Sequence, residues 1–177
     1  MSRNRYVGDY HLADSLDDRG RIRTEVEYVG ALYSFVKDDE AVRKTKRCVL
    51  FLCAIGWLAY TAAMIPVSAA MRTYYTAIPF VFIAVPLALL TGTVFEVLPL
   101  RERFIHRHAD RIENRWPSSC MFISFLSGVS LLCEAVNLIR GLEMQTGDLL
   151  FAFCAPVILL TGILAFRARN GLQCRKV

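Results

Sequence analysis

Four long apolar stretches, all but free of charge, decide most of what this chain can become. Residues 48–70 hold no Asp, Glu, Lys or Arg, residues 74–98 hold only Glu96, residues 118–139 only Glu134, and residues 149–166 none. A helix rising ~1.5 Å per residue needs ~20 residues to cross the ~30 Å hydrocarbon layer of a bilayer. Each stretch is long enough or nearly so. The expected fold is therefore an all-α integral membrane protein with four transmembrane helices. A hydrophobic content of 55% and a mean hydropathy of +0.38 agree with this, since soluble domains sit at roughly 45–50% apolar.

The basic residues orient the spans. Of 21 Lys and Arg, only Arg72 and Arg140 fall in the two connections that join the first span to the second and the third to the fourth. The other nineteen precede the first span, fill the middle connection or follow the fourth. Basic residues accumulate on the cytoplasmic side, so both termini and the middle connection are expected there, in a cell membrane crossed four times. The net charge of +5 is then a consequence of threading and gives no reason to expect nucleic acid as a partner. The first 46 residues are polar, and the first apolar run is too long for the core of a signal peptide.

A heptapeptide recurs inside the apolar runs. Residues 86–92 read P-L-A-L-L-T-G and residues 156–162 read P-V-I-L-L-T-G. Leucines recur cheaply in membrane segments, whereas Pro, Thr and Gly at identical spacing are informative. Both runs leave the membrane through R-x-R, at Arg101 and Arg103 and at Arg167 and Arg169. This suggests two tandem hairpins, residues 47–103 and 117–169, in parallel orientation. Around them lie a cytoplasmic extension over 1–46, a connecting segment over 104–116 and a tail over 170–177. Pro86 and Pro156 each withhold a hydrogen bond and should kink their helices. Thr91 and Thr161 are placed to bond back to carbonyls one turn earlier, and Gly92 and Gly162 admit a close neighbour. Paired breaks mark binding sites in some transporters, but with no polar residue beside either kink, packing is the simpler role.

In the extension, Ile22, Thr24, Val26 and Tyr28 alternate with Arg21, Arg23, Glu25 and Glu27, the period-two pattern of a strand with one apolar face. After Gly30, residues 31–36 could return as its partner in a short β-hairpin. In the connecting segment, Leu100, Phe104, His108, Ile112 and Trp116 recur every four residues, and Arg103, Arg107, Arg111 and Arg115 form an adjacent row. Residues four apart share a helix face. The expectation is an amphipathic helix lying in the inner membrane interface, its arginines reaching anionic lipid headgroups; a solvated connecting helix is the plainer alternative.

Few residues suggest chemistry. Glu134 is an ionisable group inside a span, costly enough to be a functional candidate by default, and Asn137 shares its face. One reading makes Glu134 a cation- or proton-binding carboxylate. The other, preferred because transport sites lie near mid-depth, ties it structurally to Arg72 or Arg140, or tilts it to the outer headgroups. Glu96 is explained by an ion pair with Arg101. His106 and His108, two apart, point to different helix faces and cannot share a metal, and His11 near Asp14, Asp17 and Asp18 fits no metal loop. The six cysteines contain no C-x-x-C pair, which disfavours a zinc site or disulfide exchange. The terminal C-R-K-V lacks the aliphatic pair of a prenylation signal. Motifs for hydrolases, phosphate loops or dinucleotides are absent from the sequence, so no catalytic residue, metal or cofactor is expected. Two functions remain: a non-enzymatic accessory or interaction subunit of a membrane complex, and a small homodimeric transporter or channel using Glu134. The first is preferred.

Overall fold

The computed structural model describes residues 10–16, 22–65, 73–100, 104–140 and 146–176. In chain order these form β1 (Tyr10–Leu16), β2 (Ile22–Tyr28), β3 (Leu32–Phe35), α1 (Asp39–Met64), α2 (Tyr74–Phe82), α3 (Ala84–Val97), β4 (Phe104–Ile105), α4 (His106–Ile139), α5 (Thr146–Ala168) and β5 (Cys174–Lys176). Four helical segments, α1, α2 with α3, α4 and α5, are long and apolar enough to cross a membrane.

The helices close into a ring: α1 packs on α3 and α5, and α4 packs on α2, α3 and α5. The strands fix their directions. β3 precedes α1, β4 lies between α3 and α4, and β5 follows α5, yet the three form one antiparallel sheet in the order β4-β3-β5. The start of α1, the end of α3, the start of α4 and the end of α5 therefore share one end of the bundle, and the helices run alternately up and down.

Phe80, Ile83, Leu87, Leu90, Phe151 and Ile158 are fully enclosed along the middle of the ring, while Phe51, Leu58, Phe95, Phe125, Leu132 and Phe153 stand outward. Large apolar side chains inside and outside suit a bundle whose solvent is lipid. At the tightest approach, a Cβ on Gly162 would stand 2.6 Å from Ser124 Oγ and 3.1 Å from the Cys120 carbonyl, whereas one on Gly92 would meet no atom within 4 Å. The two heptapeptide glycines are thus unlike: Gly162 seats α5 on α4, and Gly92 lies open. Gly162→Ala should lower thermal stability in detergent by about 1–3 kcal/mol through overpacking, and Gly92→Ala should be neutral or slightly stabilising through helix propensity. Equal effects would show that α4 and α5 do not meet at Gly162.

The prolines also act differently. The second span breaks at Ile83, whose N–H reaches back only to the Phe80 carbonyl at 3.1 Å. Pro86 cannot donate to the Phe82 carbonyl, so the ladder is already open there. Helix α5 passes through Pro156 without interruption. A second interruption precedes Pro117, where residues Arg111–Arg115 take a π-helical turn. Pro117 offers no N–H to Glu113, and the wider turn accommodates that loss.

Two expectations need correction. The strand over residues 22–28 pairs not with residues 32–35 but with β1, in the register Tyr10↔Tyr28 to Leu16↔Ile22. β3 instead pairs with β4 and β5, through Leu32↔Ile105 and Phe35↔Cys174 among others. Alternation identifies a strand but not its partner, and these partners lie far along the chain. Likewise, residues 104–116 are not a separate interfacial helix. Phe104 is in β4, and the helix beginning at His106 continues to Ile139. The apolar ridge of Phe104, Ile112 and Trp116 is buried in protein, not turned to lipid: Phe104 packs against Phe35 with ring centroids 4.8 Å apart and the rings tilted by 42°, and the Trp116 indole N–H donates to the Ala165 carbonyl at 3.0 Å.

Lys46 completes this end. Only 7% exposed, its ammonium donates to the Leu100 carbonyl at 2.5 Å and reaches the Leu98 carbonyl at 3.5 Å, over the Phe35 ring at 5.0 Å. A cation there satisfies carbonyls left over at the end of α3 and joins α1, α3 and β3. In the sequence Lys46 is one more basic residue before a span.

Candidate functional site

The buried face of α4 carries Ile123, Ser127, Ser130, Glu134 and Asn137 at three- and four-residue intervals, the spacing that keeps side chains in one line. Toward the end away from the sheet, this line becomes a polar cluster. Glu134 is 4% exposed and Asn137 1%, joined by Thr76 of α2 and Asp148 of α5, both fully or almost fully buried.

Asn137 is the hub. Its amide nitrogen lies 3.1 Å from Glu134 Oε2, 3.2 Å from Thr73 Oγ1 and 3.3 Å from Thr76 Oγ1, and its amide oxygen accepts from the Tyr75 hydroxyl. Thr73 and Thr76 are themselves bonded through their hydroxyls at 3.0 Å. Asn137 thus ties α4 to the start of α2 while holding the carboxyl of Glu134 in place. Asp148 couples electrostatically to Glu134 from α5. Two buried acids and a fixed amide are groups chemically able to hold a proton or a small cation. Among the described residues, no three His, Cys, Asp or Glu side chains converge as a metal site.

The tie expected between Glu134 and Arg140 is not formed. The Arg140 guanidinium lies over the Tyr75 ring, 6.0 Å from its centroid, and six residues along a helix place it on a different face from Glu134. The other suggested partner, Arg72, lies outside the described residues. Glu96 has a partner that the sequence did not name. It pairs with Arg111, brought against α3 by the π-helical turn, while Arg101 is outside the described residues. Asp148 is the acidic member of the cluster that the sequence did not single out; Thr73, Tyr75 and Thr76 were likewise not named. The signal of Asp148 is an acidic residue heading the last apolar run, which reads equally well as a first-turn charge on a helix.

The repeated residues take part in packing. Thr91 Oγ1 accepts from the Trp57 indole N–H at 3.0 Å and donates to the Leu87 carbonyl at 2.8 Å. Thr161 donates to the Val157 carbonyl at 2.9 Å, and a Cβ on Gly56 would stand 3.2 Å from its methyl. Pro86 is buried and Pro156 half-buried; neither touches the Glu134 cluster in any hydrogen bond.

At the sheet end, Arg107, Arg111 and Arg115 line one surface groove of ≈ 470 Å³ with Asp110, Asn114 and Ser118. Arg103 lies outside the described residues. His106 is held by the Tyr33 hydroxyl, 3.1 Å from its Nδ1. The side chains of His11 and Asp14 are outside the described part, as are Asp17 and Asp18. In the tail, burial pushes the Cys174 thiol up to about 12, Glu113 adding to the effect and Arg169 opposing it. Since the thiolate is the reactive species, Cys174 should resist iodoacetamide at pH 8 in the folded chain and react on unfolding, as mass spectrometry would read. Rapid modification in the folded state would mean that β5 is not seated.

No protein family, curated protein or solved structure matches this chain.

Proposed function

We propose that the chain is a non-enzymatic, multi-pass membrane component that acts through contacts at its strand-bearing end, as an accessory or interaction subunit of a larger complex. The observation that carries this reading is the division of the bundle. Its middle is filled by Phe80, Ile83, Leu87, Leu90, Phe151 and Ile158, all without exposure, which separates the polar cluster from the other end. At that other end, three distant segments build the sheet β4-β3-β5, and β1 and β2 form a separate two-stranded ribbon. Such a ribbon is marginal alone in water, and a partner protein would complete it. By the bias of basic residues this end is cytoplasmic, with both termini. The tandem hairpins over 47–103 and 117–169 belong to the same reading, related by an axis along the membrane normal.

A second reading has an observation of its own. Glu134 is buried beside Asp148 and has no basic partner among the described residues, which favours a homodimer that binds or moves a proton or cation. The experiment is purification from native membranes in mild detergent, of the full chain and of a variant lacking residues 1–28. A stoichiometric partner bound to the full chain and lost from the variant is the expected result. A lone homo-oligomer whose pH-dependent uptake in proteoliposomes is abolished by Glu134→Gln would overturn it. A reporter after Val177 should read cytoplasmic and one at Arg72 external; an external C-terminus would sink the orientation.

A further inference from the structure

Further along α4 from the arginine groove lies a second concavity. Ser118 closes the first groove, and Met121, one turn further on, opens the next. This second groove also measures ≈ 470 Å³ and lies between α4 and α5, walled by Met121 and Ser124 on one side and by Ile163, Phe166 and Arg167 on the other. Its lining is apolar except for the serine and for Arg167 at the end nearest the sheet. At Gly162 the two helices approach closely, a Cβ there standing 2.6 Å from the Ser124 Oγ.

We propose that the two grooves together hold one anionic phospholipid, its phosphate on Arg107 and Arg115 and an acyl chain along the cleft between α4 and α5. Charge complementarity selects the occupant. Arg111 is already paired with Glu96, and Asp110 accepts from the Asn114 amide at 2.6 Å. Arg107 and Arg115 are exposed and have no ion pair among the described residues, so the groove presents two uncommitted guanidinium groups. Arginine suits phosphate because its planar fork donates two parallel hydrogen bonds. Basic pockets beside transmembrane helices recognise anionic headgroups in this way. From Arg115 to Ser124 the helix rises ~14 Å at ~1.5 Å per residue, so a headgroup at the first groove places its chain beside Met121 and Ser124, not out in bulk lipid. A free phosphate would use only the upper groove and leave the apolar one without a role. The site is independent of whether the chain serves a partner or moves a cation.

Native mass spectrometry of the full chain, purified in mild detergent and supplied with phosphatidylglycerol or phosphatidylcholine, tests this. The expected result is one retained phosphatidylglycerol per chain, at least tenfold preferred over phosphatidylcholine and not displaced by millimolar inorganic phosphate. Arg107→Gln with Arg115→Gln should cut retention to about a tenth, and Met121→Trp, which crowds the apolar groove from an exposed position, should cut it with both arginines in place. Equal retention of the two lipids overturns the proposal without any variant. So does undiminished retention in the folded double variant, checked by gel filtration. Displacement by inorganic phosphate would assign the arginines to a free anion, and insensitivity to Met121→Trp would remove the acyl-chain contact; either result also overturns it.

Discussion

Trp116→Ala is expected to cost about 3–5 kcal/mol of stability, the range for deleting a large buried aromatic. Trp116 is 1% exposed and stands where the π-helical turn gives way to the regular helix. Its ring fills the space between α4 and α5, and its N–H satisfies the Ala165 carbonyl. Trp116→Phe separates the two contributions. It keeps most of the ring and removes the donor, so the loss should fall to roughly 1 kcal/mol, the net worth of one hydrogen bond. Thermal unfolding in detergent, followed by loss of helical signal, measures both. If alanine costs no more than phenylalanine, Trp116 faces lipid after all, and the amphipathic-helix reading of residues 104–116 returns.

Asn137→Leu should be nearly as damaging, for a different reason. The substitution keeps the volume but removes an amide that reaches Glu134, Thr73 and Thr76 and accepts from Tyr75. Glu134 and Thr76 are buried and lose a partner. Each unsatisfied buried polar group costs about 1–3 kcal/mol, so a loss of roughly 3 kcal/mol is expected. Adding Glu134→Leu should recover part of it, because removing both partners of a buried pair is milder than removing one. The double variant also tells the cluster's roles apart. Recovered stability with intact partner binding supports the accessory subunit, whereas recovered stability with lost pH-dependent uptake supports the cation-binding homodimer. A single-variant loss below about 0.5 kcal/mol, the size of an ordinary surface change, would show that Asn137 is not the hub.

The sequence by itself determined the number of long apolar helices, because freedom from charge over ~20 residues is a property of composition and needs no knowledge of neighbours. It also determined that residues 22–28 form a strand, that Glu134 and Asn137 share a face, and that Arg107, Arg111 and Arg115 fall in one row, since all of these follow from periods of 2 and 3.6 along a single element. Tertiary structure alone decided who meets whom. The partner of β2 is β1, and β3 collects strands from the middle connection and the tail, because backbone hydrogen bonding is blind to sequence distance. Glu96 pairs with Arg111, and Lys46 turns from a boundary charge into a cap on α3, because long side chains bond whatever the packing brings within reach. The two heptapeptides, nearly identical as strings, part company for the same reason. Gly162 faces another helix and Gly92 faces none, and a glycine's role is set by what stands opposite it.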